Sequence, residues 1–143
     1  MKNFGSTIEY AQERIDDLMK AYFSYLSTCS RISMPDVFEH VVNMPASRFW
    51  VSEPRASVVI SKIMHGDDLH NMRPTKREMF FEIYRRFLPL YKENPDTPIS
   101  QLVGIVIEQP APKFYLAPGS AKVMITNAKK KWHEEKKKKL YRW

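Results

Sequence analysis

Cysteine is nearly absent. Cys29 stands alone among 143 residues, which excludes an intramolecular disulfide framework and a cysteine-rich zinc module. Glycine is scarce as well: four residues supply neither a phosphate-cradling loop nor a dinucleotide fingerprint. Long apolar runs are missing, with only short pieces such as Val58-Val59-Ile60 present, where a bilayer span needs about 20 residues. The opening Met-Lys-Asn-Phe-Gly-Ser lacks the apolar core of a secretory signal. No serine or cysteine sits in a recognisable nucleophile elbow. These gaps predict a soluble, intracellular (cytoplasmic) protein with no membrane partner, no cofactor and no catalytic residues.

What remains is an ordinary globular composition. The chain is 43% apolar and 27% charged, enough to build a core and too apolar for a disordered chain. His65, Asp67, Asp68 and His70 are the ligand-like cluster. Their spacing matches no metal motif, and Gly66-Asp67-Asp68 is common turn chemistry, so no metal site is expected.

The net charge of +7 is unevenly placed. Residues 1–64 carry seven Lys or Arg and seven Asp or Glu, and residues 65–127 carry eight and seven. Residues 128–143 carry eight bases against Glu134 and Glu135, a net of +6. A concentrated cationic segment attracts polyanions by releasing their condensed counterions. The plainer alternative is a solvated helix end, where lysines complement the macrodipole.

The chain also repeats itself. An offset of 65 lays Pro45-Ala46-Ser47-Arg48-Phe49-Trp50-Val51 on Pro110-Ala111-Pro112-Lys113-Phe114-Tyr115-Leu116, and Ala56–Ser61 on Ala121–Thr126. Over positions 45–61 six residues are identical, where unrelated sequence would give roughly one. Upstream the same offset pairs Leu18 with Ile83, Tyr22 with Phe87 and Val41 with Val106. The predicted organisation is a first repeat over 1–64, a turn at 65–72, a second repeat over 73–128 and a basic helical tail at 129–143.

Each repeat reads as three helices. Ile15, Leu18, Met19, Tyr22 and Leu26 keep the spacing of a buried helical face, as do Phe80, Ile83, Tyr84, Phe87 and Tyr91. Pro89 predicts a kink or an early end in the latter helix. Ser33 and Thr97 are expected to cap the second helices, each before an early proline. The run Leu102–Ile107 could form a short strand, but its partner Asp36–Val42 has helical spacing. Ser52, with Pro54 in the first turn, is expected to cap the third helix. Phe49 and Phe114 are core, and Cys29 is a small buried residue. The predicted fold class is all-α: two tandem three-helix, helix-turn-helix-like repeats packed together, with a basic C-terminal helix.

In a helix-turn-helix plan the last helix enters the major groove. Its outward residues would be Arg55, Ser57, Ser61 and Lys62 in the first repeat, and Ser120, Lys122, Thr126, Asn127, Lys129 and Lys130 in the second. The resemblance is architectural only, because the link Met44–Val51 is longer than the three or four residues of a strict motif. Arg48 and Lys113 keep a cation beside an aromatic pair, either as phosphate contacts or packed over Trp50 and Tyr115. The segment Arg73–Arg77 is a second basic patch at a helix start.

The predicted function is non-enzymatic nucleic-acid binding, with DNA ahead of RNA. Its contact residues would be Arg48, Arg55, Lys62, Lys113, Lys122, Asn127, Lys129, Lys130, Lys131, Lys136, Lys137, Lys138 and Lys139. The alternative is a structural or adaptor module within a larger assembly, its basic tail docked on an acidic protein partner.

Overall fold

A computed structural model describes the backbone of residues 4–28 and 34–140 and the side chains of 10–28 and 36–140. Cys29 and the expected cap Ser33 lie outside the described residues. The described chain holds six helices: α1 (Phe4–Thr28), α2 (Met34–Val42), α3 (Glu53–Met64), α4 (Pro74–Glu93), α5 (Ile99–Ile107) and α6 (Pro118–Leu140). The 65-residue offset survives in this order, since α2 and α5 differ by it at both ends. No helix is long and apolar enough to cross a membrane among the described residues.

The helices do not group as consecutive trios. One compact unit takes in α1, α2 and α6, and the other spans Asn43–Leu116 with α3, α4 and α5. The expected set of α1, α2 and α3 is thereby corrected: α3 packs on α4 and α5, and α6 packs on α1 and α2. The cause lies in the links. A tight turn after α2 would fold α3 back onto it. Instead Ala46 and Ala111, 65 positions apart, form an antiparallel bridge through two N–H to carbonyl bonds of 3.0 Å. Phe49 N–H adds a bond of 2.9 Å to the carbonyl of Ile107. These bonds pin the link, which delivers α3 to α4 and α5.

In the unit of α1, α2 and α6, the core is Leu18, Ala21 and Tyr22 against Val37, Phe38, Val41 and Val42, closed by Ala121 and Ile125. Tyr22 stacks on Phe38 at 6.3 Å between ring centroids, an aromatic pairing that adds to its area burial. Asp36 sits in the first turn of α2, where a carboxylate favours the helix dipole.

In the unit of α3, α4 and α5, the Ser52 hydroxyl accepts from Arg55 N–H and Pro54 lies in the first turn, the expected cap chemistry. The core faces are Ala56, Val59, Ile60 and Ile63 on α3, and Met79, Phe80, Ile83 and Phe87 on α4. Leu102, Val103, Val106 and Ile107 of α5 complete it, and this segment is a helix rather than a strand. These four are covered from two sides, by α3 and α4, while Ile105 is 49% exposed. Gly104 faces the start of α3, where a Cβ would meet the flexible Glu53 side chain, its Oε2 at 3.1 Å. Phe49 and Phe114 are buried as expected.

Two local expectations are corrected. Pro98, not Thr97, occupies the cap position of α5, so its start rests on proline's fixed φ and no side-chain bond. Pro89 lies inside α4 without ending it, and the helix runs on to Glu93. The proline withdraws one backbone donor near the helix end, and flanking packing at Phe87 and Tyr91, stacked at 5.5 Å, holds the last turn.

Candidate nucleic-acid interface

Helix α6 changes character along its length. Ala121 and Ile125 are buried, Met124, Ala128 and Lys129 are half-buried, and residues 130–140 are exposed throughout. At 1.5 Å per residue this exposed part extends about 16 Å beyond the packed part of the helix. Among the described residues, Lys130, Lys131, Lys137, Lys138 and Lys139 make no ion pair. At about 100° per residue, Lys130, Lys131, Lys137 and Lys138 fall within an arc of about 120°. Ala121, Ile125 and Trp132 lie on the opposite side. Glu134 falls at the centre of this arc, three or four residues from each of the four lysines, so the face holds four lysines against one glutamate, a net of +3, with no ion pair among the described residues.

The other expected contacts are placed differently. Lys129 Nζ donates to the Tyr22 hydroxyl at 3.1 Å, so this lysine is engaged within the core edge. Lys136 sits over the Trp132 ring at 4.3 Å. Lys122 and Asn127 are exposed on α6. Arg48, Arg55, Lys62 and Lys113 all belong to the other unit, so the structure does not assemble the thirteen residues into one surface within either unit.

Arg48 is half-buried, and its guanidinium donates to the carbonyls of Phe49 and Val51 while lying 5.2 Å from the centre of the Trp50 ring. Lys113 pairs with Glu78 and lies 5.6 Å from the Tyr115 ring centre. These two cations stabilise their own link segments, the packed alternative among the two sequence readings. Arg55 and Lys62 are exposed on α3, whereas Ser57 and Ser61 are half-buried and less available than expected.

A polar cluster on α4 braces the same links. Arg86 donates to the carbonyl of Pro110 at 2.9 Å and covers the Phe49 ring at 4.9 Å. Glu82 receives both Arg85 and Arg86. The Arg85 guanidinium holds the Glu82 carboxyl below the usual carboxylate range, with partial burial opposing and Arg86 adding to the effect. Burial, then the charges of Glu82 and Glu78, push the Tyr115 hydroxyl up to about 12. Tyr115 also has a φ of 57°, a conformation costly for a bulky side chain.

Asp67, Asp68 and His70 have ligand atoms within 4.8 Å of one another and all are exposed. Asp67 Oδ1 accepts Leu69 N–H at 2.7 Å, and Asp68 Oδ1 accepts His70 N–H at 3.0 Å. His65 is turned to its own helix, with Nδ1 at 2.7 Å from the Ser61 carbonyl. The His70 ring and backbone N–H beside Asp68 hold its carboxyl below the ordinary range. This is turn-closing geometry.

Sequence reasoning missed a groove of about 670 Å³ between α1 and α6, floored by Ile15, Met19, Met124 and Ala128 and walled by Phe23 and Trp132. The stripe Ile15–Met19–Phe23 was legible as a second i, i+4 row beside the buried Leu18–Tyr22 row, and Trp132 interrupts the lysine run. No protein family, curated protein or solved structure matches the chain.

Proposed function

We propose that the protein is a non-enzymatic nucleic-acid-binding protein whose grip is the outer face of α6. The observation that carries this reading is the arc of Lys130, Lys131, Lys137 and Lys138, exposed, holding a net +3 after Glu134 at its centre, and making no ion pair among the described residues. Lysines fixed on one helical face meet a phosphate backbone without first breaking internal pairs, and each neutralised phosphate releases counterions. Contacts of this kind position a polymer and carry no sequence information. Asn127 lies within the same arc and extends the contact toward the helix start, whereas Lys122, though exposed, is turned about 120° from its centre.

The helix-turn-helix part of the expectation receives no support from packing, because α2 and α3 fall in different units. Binding therefore rests on phosphate contacts more than on a recognition helix in the major groove. DNA is the first polymer to test. A shift assay at low salt compares duplex DNA, single-stranded DNA and RNA, using the native chain and a variant with Lys130, Lys131, Lys137 and Lys138 changed to Gln. The native chain binds and the variant loses most of its affinity with unchanged helicity. Equal binding by both would refute the reading, and an acidic protein partner would then be the better account of the tail.

A further inference from the structure

We infer that the groove between α1 and α6 receives an unpaired base of a nucleic-acid strand whose phosphates lie on the lysine face of α6. This rests on the nucleic-acid reading above and adds the class of strand: single-stranded, or duplex with a base exposed.

Phe23 is 57% exposed and Trp132 54% exposed. One exposed aromatic is ordinary on a protein surface. Two that wall one apolar groove, with Met19 and Met124 beneath them, form a contiguous patch of the kind that marks a binding surface. Its volume of about 670 Å³ lies in the ~300–1,000 Å³ range of small-ligand sites.

Charge selects the occupant. Lys129 and Lys131 at the groove are offset by Asp16 and Glu135, and Gln12 donates to Asp16 Oδ1 at 2.9 Å. The lining is balanced, which suits a neutral, flat, polar-edged base and not a chain of phosphates. One rim of the groove, through Asn127 and Lys131, is also the edge of the cationic face on α6. A strand following that shared rim places a phosphate at Lys131, the edge of the lysine face, and turns its base away from that face into the groove, where Trp132 stands about 100° further round the helix. Aromatic platforms beside cations hold unpaired bases by stacking, whatever their identity. Bases inside a duplex are already stacked and enter such a site only when flipped out, at a cost. Lys136, now 4.3 Å from the Trp132 ring, is placed to move onto a phosphate as a base approaches.

The test reads Trp132 alone, in a chain with Trp50→Phe and Trp143→Phe, against an oligothymidylate, a duplex of equal length and heparin, which carries charge without bases. The oligothymidylate quenches Trp132 emission and heparin does not. Phe23→Ala and Trp132→Ala each weaken oligothymidylate binding roughly tenfold, in line with base-stacking contributions, while heparin affinity holds, and Trp132→Tyr restores most of the loss. Circular dichroism separates misfolding from lost stacking, and the Tyr variant keeps the comparison alive if Trp132→Ala fails to fold. Equal quenching by heparin, or parallel losses for heparin and oligothymidylate in both aromatic variants, overturns the groove assignment while leaving phosphate binding standing. Failure of every polyanion to bind overturns the nucleic-acid reading itself.

Discussion

The salt dependence of binding is the sharpest consequence of the lysine face, because its slope counts phosphates. Four lysines share one side of α6 with Glu134 between them, and none of the four makes an ion pair among the described residues. With about 0.9 counterions released per phosphate on B-DNA, a plot of log K against log salt has a slope of about −3.6. Raising salt from about 50 mM to about 200 mM then weakens duplex binding about 150-fold, near 3 kcal/mol. On a single strand, with about 0.7 per phosphate, the slope is about −2.8 and the loss about 50-fold. Each substitution of Lys130, Lys131, Lys137 or Lys138 by Gln removes about 0.9 from the duplex slope. Lys136, already over Trp132, and Lys139, on the groove side of the helix, remove less. Fluorescence anisotropy with labelled DNA across a salt series measures this directly. A slope shallower than about −1, or one that the four substitutions leave unchanged, would show that the lysine face is a solvated helix end.

Three further outcomes concern the fold that carries this face. Phe49→Ala empties a fully buried site beneath Arg86 and against Tyr115, and chemical denaturation should record a loss of about 3–5 kcal/mol; less than about 1 kcal/mol would contradict the packing described. Ser52→Ala deletes the acceptor that caps α3 and should cost about 1 kcal/mol by the same measurement, without altering binding. Tyr115 is favoured in its neutral form, so the stability it contributes is whole below its ordinary value of 10.0 and declines as pH rises through about 12. Tyr115→Phe should flatten that alkaline decline in a denaturation series, and an unchanged profile would assign the decline to other groups.

The helical content, the order of the helices and the separation of charge follow from local chemistry. Periodicity of 3.6 places Leu18 and Tyr22, or Ile83 and Phe87, on one face wherever the helix is later packed. Ser52 and Pro54 start α3 from within a few residues of chain. The burial of Phe49 was legible because its partner at Phe114 repeats it. Lysines 130–139 declare a cationic helix end whatever surrounds them. The self-similarity at an offset of 65 is visible in six identities over seventeen aligned positions.

Partnership between helices was a different matter, because periodicity says which face is apolar and nothing about which neighbour covers it. The two similar halves of the sequence have like apolar faces, so α3 or α6 could cover α1 and α2 or α4 and α5. The choice rests on the Ala46–Ala111 bridge and the Phe49 bond to Ile107, contacts between residues about sixty apart in the chain. The same nonlocal choice decided the candidate site. Arg48 and Lys113 look like free cations in sequence, yet the backbone carbonyls and Glu78 that engage them are set by the folded links. The groove of Phe23 and Trp132 exists only because α6 lies beside α1. Local spacing determined the helices and their charge; long-range packing, where several near-equal apolar faces compete, decided who meets whom and which side chains stay open to a ligand.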